Sequence, residues 1–329
     1  MRRRPSRLRR WFFVLVYLAL HRSARLEAQT GLTPEAFQFL LPIGARSVGA
    51  GQAVVAGGAG AESIAWNPAL ISRGPREFAF NLAEQANGIA ATDADVALVW
   101  PVPRVGAFAI TLRYTAEQDQ QSVDLDGRLL GTFNLNNIIA AATFAAPFGD
   151  RLAAGLTLKF LQQGASCTGS CDLPAFPPRT AGLDAGVQYF LTKDSTVTIG
   201  ASFLNTGFRL QVNDSPQADP LPTRALVGIS VAPHLSDAPK ELGTRVEADV
   251  IKRVSGGGPG YRFGGELSWQ NLYFARVGYQ LYSYTPTVSG PTVGVGLATQ
   301  KLRIDFAQVF TDLGVGLGKP TYLSLRYVF

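Results

Sequence analysis

The chain has 329 residues, including 35 Gly, two Cys and two His, and a formal charge of +6. That basicity sits at one end: residues 1–28 hold eight Arg and one Glu, which leaves 22 basic against 23 acidic groups, or −1, for everything after them. A nucleic-acid surface is therefore not expected of the remainder.

The first 28 residues read as an export signal. Six arginines among residues 2–10 precede an apolar run, Trp11–Leu20, and Leu26-Glu27-Ala28 offers a cleavage site. Ten apolar residues are too few to cross a bilayer as a helix. No later segment has eighteen consecutive apolar residues; the nearest, Ile138–Phe148, is short and contains a proline. Mean hydropathy is nevertheless slightly positive, +0.11. An apolar chain without a helical span is what a strand-built membrane protein shows.

Residues 29–76 lack a sustained period. They carry many glycines and short helical stretches, and too little core to stand alone, so they are expected to form a plug inside a larger structure. From Glu77 onward, fourteen runs alternate at period two: 77–85, 92–100, 105–114, 132–147, 151–163, 180–191, 196–205, 223–232, 244–253, 261–269, 272–281, 291–299, 301–310 and 320–329. An even count suits closure into an antiparallel transmembrane barrel. The fold class is thus all-β, a 14-stranded barrel over 77–329 with a lumenal plug. Short connections such as PVPR, FGDR, TKDS and QN alternate with longer ones, which puts both ends of the barrel chain on the short-turn, periplasmic side. Pro233–Gly243 is too long for its place among the short turns, and the join between runs twelve and thirteen needs only about one residue.

One face of these runs is strongly apolar and the other carries Arg113, Lys159, Arg245, Glu247, Asp249, Arg262, Glu266, Arg276, Arg303, Asp305 and Arg326. A soluble sheet would turn such charges to water; in a membrane cylinder they belong in the lumen, where both signs can pair. Aromatics near run ends, Trp100, Tyr114, Tyr189, Trp269, Tyr273 and Tyr322, are candidates for interface girdles or for plain packing. The last run ends on Phe329, resembling the terminal strand that outer-membrane barrels present as an assembly signal. Cys167 and Cys171, in CTGSC, lie in a loop; an exported compartment permits a disulfide, and two separate thiols are the alternative. Two thiolates alone do not make a metal site, and no cofactor is expected.

Chemistry is otherwise sparse. Gly49 and Gly51 begin like a dinucleotide loop, but the third glycine and the strand–helix crossover are missing. With His21 in the leader, His234 is the one histidine left, too little for a Ser-His-Asp arrangement. Glu247 and Asp249 share a strand face, which suits lumenal ion pairing better than acid–base work.

Within IGARSVGAGQAVVAGGAGAESIAWNPALI the residues Gly44, Arg46, Gly49, Gly51, Trp66, Asn67, Pro68 and Ala69 resemble the plug motif of the PorV/PorQ family, which groups with FadL-type barrels. FLNTGF, ARVGYQL, TVGVGL and RIDFAQ continue the resemblance; the glycine-rich Ala56–Ala61 departs from it, where the family often has acidic residues. The resemblance implies a non-enzymatic barrel of the bacterial outer membrane. Its partners would be membrane lipid and lipopolysaccharide, the barrel-assembly machinery, and secreted proteins handed to a type IX attachment complex. The alternative is a FadL-like channel for hydrophobic small molecules. A third reading, an enzyme acting on lipopolysaccharide acyl chains, lacks a triad to support it.

Overall fold

The structure, a computed structural model, describes residues 36–329 apart from 59, 86–90, 118, 125, 172–176, 211–219, 234–237, 284–288 and 312–318. The leader expected over 1–28, the start of the plug at 29–35, and both histidines lie outside the described residues.

All fourteen alternating runs are strands: β1 (Glu77–Gln85), β2 (Ala91–Val102), β3 (Gly106–Glu117), β5 (Leu129–Phe148), β6 (Leu152–Gly169), β7 (Arg179–Phe190), β8 (Val197–Gly207), β9 (Arg224–Val231), β10 (Leu242–Arg253), β11 (Gly260–Trp269), β12 (Tyr273–Tyr282), β13 (Gly290–Ala298), β14 (Leu302–Val309) and β15 (Thr321–Val328). Each pairs antiparallel with its neighbours, β3 with β5, and β1 with β15 from Glu77–Val328 to Glu84–Thr321, so the sheet closes on itself. The extra strand β4 (Gln120–Val123) pairs only with β5, outside the ring.

Closure leaves no sheet edge to satisfy in hydrocarbon. The alternation then sorts the side chains. Ile110, Leu112, Leu158, Leu267 and Val277 are exposed, Ile110 by 67%, while Arg113, Asp249, Arg262 and Arg276 on neighbouring positions are buried. Apolar outside and charged inside inverts a soluble protein and fits a bilayer. Trp100, Tyr114, Tyr189, Trp269 and Tyr273 are exposed, as a girdle requires. Tyr322 is not part of it. Only 2% exposed, it faces the lumen and packs with Val48, Ala83 and Ala307, because its parity in β15 matches Ser324 rather than Leu323.

Turn chemistry sets one rim. Gln270 and Asn271 both have positive φ, 55° and 54°, and Leu272 N donates to Trp269 O at 3.0 Å; this is the twisted two-residue turn that matches strand twist. The β13–β14 join uses three residues, 299–301, rather than one, with Thr299 Oγ1 accepting from Leu302 N. The opposite rim differs more from expectation. β5 and β6 run on, pairing as far as Gly131 with Gly169, so parts of two expected loops are strand, and β4 with β5 makes a hairpin at this end beyond the ring. Past the open end of β6, Cys167 and Cys171 are joined in a disulfide, their Cα atoms 6.2 Å apart.

Candidate functional site

The described residues of 36–72 lie within the ring of strands. They fold as a short α-helix, Ala45–Gly49, and 3-10 turns at Phe37–Leu40, Ala61–Ala65 and Pro68–Ile71. Asn67 starts the last of these: Pro68 occupies the first helical position, and the Asn67 side chain accepts from Ala69 N at 3.0 Å. Its amide nitrogen donates to Val55 O at 2.8 Å and across to Val187 O of β7 at 2.9 Å. Trp66 is 1% exposed, packs on Ala50 and Val54, and donates to Ile43 O at 3.3 Å.

What lets the plug backbone come so close is a girdle of lumen-facing glycines. A methyl group at Gly155 would stand 2.5 Å from the Pro68 carbonyl carbon; at Gly49, 2.8 Å from Gly294 Cα. One at Gly186 would strike Asn67, at Gly200 Val55, at Gly264 Ala50, and at Gly278 Gly51. Strand register makes these one band, since Gly155 pairs with Gly186, Gly200 with Gly228, and Gly264 with Gly278.

Ion pairs lock the seat. Glu266 accepts from Arg46 Nε at 3.1 Å and from Arg276 Nε at 2.6 Å; Asp305 accepts from Arg276 Nη1 and from Arg303 Nε, each at 2.8 Å. Glu77 accepts from Ala61 N at 2.6 Å and pairs with Arg326 at 3.4 Å. Asp249 accepts from Val55 N at 3.0 Å, Arg245 donates to Gly57 O at 3.2 Å, and Glu247 is buried. Arg262 donates to Tyr282 Oη and to Gln52 O. Arg113 pairs with Asp93 and caps the Leu41 carbonyl at 3.1 Å.

The plug's own ionisable groups feel this field. Burial pulls Arg46 down, but Glu266 and Glu247 outweigh it and hold the guanidinium above the usual arginine range. Burial, then Asp305, pushes the Glu62 carboxyl up to about 7, against Arg46, Arg326 and Arg303.

Beside the plug lies a cavity of about 60 Å³ lined by Phe39, Ile64, Trp66, Lys159, Asp184 and Arg224, with Lys159 over the Phe39 ring at 4.8 Å and Arg224 over the Trp66 ring at 5.8 Å. That holds about four water molecules. Lys159 pairs with Asp184 at 2.8 Å. Between β7 and β8 the register shifts: Leu204 and Asn205 both turn inward, Asn205 has φ 59°, and its N donates to Asp184 Oδ1 at 2.7 Å. Arg224 is 6% exposed and its Nε has no hydrogen-bond partner among the described residues. Sequence reasoning did not single out Asp93, Asp184, Asn205, Arg224, Glu62 or Glu77. Parity gives the lumenal face to Asp93, Asp184, Arg224 and Glu77, but not to Asn205, whose parity is that of outward Phe203.

No family model matches the chain, and no curated relative matches it. Solved structures do. The Ralstonia pickettii toluene transporter TbuX superposes with a TM-score of 0.60 at 15% identity, over 87% of this chain and 98% of that one. The Pseudomonas putida toluene transporter TodX gives 0.55 at 12%, over 86% and 95%. A Pseudomonas aeruginosa FadL homologue gives 0.50 at 12%, over 88% and 99%. The fold is that of the FadL-type barrels. As in a FadL-type barrel, fourteen strands form the wall here. With its apolar outer face and charged lumen, the chain is a protein of the bacterial outer membrane.

Proposed function

We propose that this barrel is a non-enzymatic, gated conduit for hydrophobic small molecules. The observation that carries the reading is the plug, seated on a glycine band and held by ion pairs rather than by a continuous apolar core. Such a seat can be left and regained, because backbone approach and polar contacts re-form without repacking large side chains. The small cavity beside it, where Lys159 lies over Phe39 and Arg224 over Trp66, is the space a moving plug would enlarge. The register shift at Leu204–Asn205 interrupts the β7–β8 ladder opposite Asp184, one of the residues lining that cavity. The fold shared with two toluene transporters supports the same reading.

The experiment is uptake of toluene into vesicles holding the purified chain. Flux that exceeds protein-free vesicles and rises in Asn67→Ala supports the conduit. No flux in either form sinks it.

A second reading keeps the PorV/PorQ resemblance of the plug motif and has a cargo-handling barrel of type IX-like secretion. One observation favours it: the hairpin above the rim exposes Val123, Leu129 and Leu130, Leu129 by 61%, an apolar outer-loop surface of the kind a cargo binder needs. In that reading Phe329 is the signal read by the assembly machinery, and lipopolysaccharide surrounds the upper wall. Recovery of secreted proteins on the affinity-purified barrel, lost in Leu129→Ser, would favour it over the conduit.

A further inference from the structure

The short-turn rim is basic. Among the described residues it exposes Arg104, Arg151, Lys193, Lys240 and Lys301 on the turns, and Arg73 and Arg76 on the approach to β1. Against these seven stand three exposed carboxylates, Asp150, Asp194 and Glu241. Asp194 is occupied within its own turn, where it accepts from Thr196 N at 3.2 Å. Arg76 is held between the Trp100 and Phe329 rings at 3.6 and 4.7 Å, and Arg73 lies over Phe190 while donating to Gly149 O at 2.7 Å. Arg151, on the same turn as Gly149, makes no ion pair or side-chain hydrogen bond among the described residues.

Above Arg151 the outer wall has a furrow of about 620 Å³, bordered by Phe144, Phe148, Leu156 and Phe203. Its floor is cut by outward alanines on five consecutive strands, Ala146 (β5), Ala154, Ala185, Ala201 and Ala225 (β9). Ala146 and Ala154 face each other beside the β5–β6 turn, whereas Ala225 stands next to the opposite end of β9, so the furrow climbs from the basic rim toward mid-wall. Five strands span about 19 Å at the usual spacing, the reach of an extended hydrocarbon chain. It is continuous with the lipid-facing belt.

We propose that this corner is a binding site for an anionic phospholipid of the periplasmic leaflet, its phosphate on Arg151 and Arg73 and one acyl chain in the furrow. Two separate features meet there. A bare furrow would take any chain, and a bare basic rim would attract any anion; their junction selects a molecule that has both. The proposal does not depend on what the barrel transports.

The test is native mass spectrometry of the full chain, extracted in mild detergent and exchanged into mixed phosphatidylglycerol and phosphatidylethanolamine. The wild-type barrel should keep a phosphatidylglycerol, and Ala185→Phe with Ala201→Phe, which fills the furrow from outside, should lose it. Arg151→Gln should lower the preference for phosphatidylglycerol about five-fold, the worth of one basic residue at a membrane surface. Lys301→Gln, on the β13–β14 turn of the same rim and on none of the strands that line the furrow, should not change it. Equal retention by the furrow-filled variant, no preference for the anionic lipid, or a second copy of the chain in place of lipid would each overturn the proposal. Should the filled variant fail to form a barrel, the contrast between Arg151→Gln and Lys301→Gln, both exposed turn residues, still decides.

Discussion

Arg46 Nε lies 3.1 Å from Glu266 Oε2, joining plug to wall across 220 residues of sequence. Both side chains are largely buried, so removing either partner strands a charge. Arg46→Ala should destabilise the seated plug by about 3 kcal/mol, read as a lower unfolding temperature and faster hydrogen exchange over residues 44–58. Glu266→Gln should do at least as much, since Glu266 is the carboxylate that Arg46 and Arg276 share and Arg46 is left without an ion-pair partner among the described residues.

The glycine band predicts a position-specific steric effect. Gly186→Ala and Gly200→Ala push a methyl group into Asn67 and Val55, and each should cost about 1–3 kcal/mol. Gly265→Ala, on the outward face of β11 with its nearest neighbour 3.7 Å away, should be neutral. Denaturant unfolding of the three variants checks this; equal effects would mean that the plug does not rest on the band.

Asn67→Ala removes a helix cap and leaves the Val55 and Val187 carbonyls without that donor. The expected loss is about 3 kcal/mol. Asn67→Asp keeps the cap but not the donor, and should fall between. Toluene flux and limited proteolysis of the plug should follow the same order.

Glu62 gives a pH dependence. Its carboxyl holds a proton in the folded protein up to about 7, whereas in an unfolded chain it ionises near the usual glutamate value. The folded state therefore binds more protons between those points. The contribution of Glu62 to stability is fully present below pH 4.5 and is lost by about pH 7, about 3 kcal/mol in all. Glu62→Gln should flatten that slope. Exchange of the plug amides at pH 5 and pH 8 is the measurement, and equal rates in the wild type would contradict it.

The wall was legible because alternation is local: Arg303 and Asp305 inward and Ile304 outward can be read from three adjacent letters. β4 was not, since QQSV has no apolar face and pairs only outside the ring. Tyr322 was grouped with the girdle by residue type, although its parity placed it inside. The site was harder. Gly155, Gly186, Gly200 and Gly264 sit on four different strands and form one band only after register is fixed. Asn205 faces inward because of a register shift that no periodic pattern announces. The Trp66–Ala69 element stood out in sequence, but its partner Val187 O is backbone, which no residue type reveals.

The stopper and the seam share neighbours. Ala45 N donates to Ser324 Oγ of β15, and Phe329 N to Arg76 O, so the first and last strands meet against residues the plug already touches. Parting β1 from β15 would therefore also loosen the stopper, so the seam and the plug are expected to open together rather than in turn.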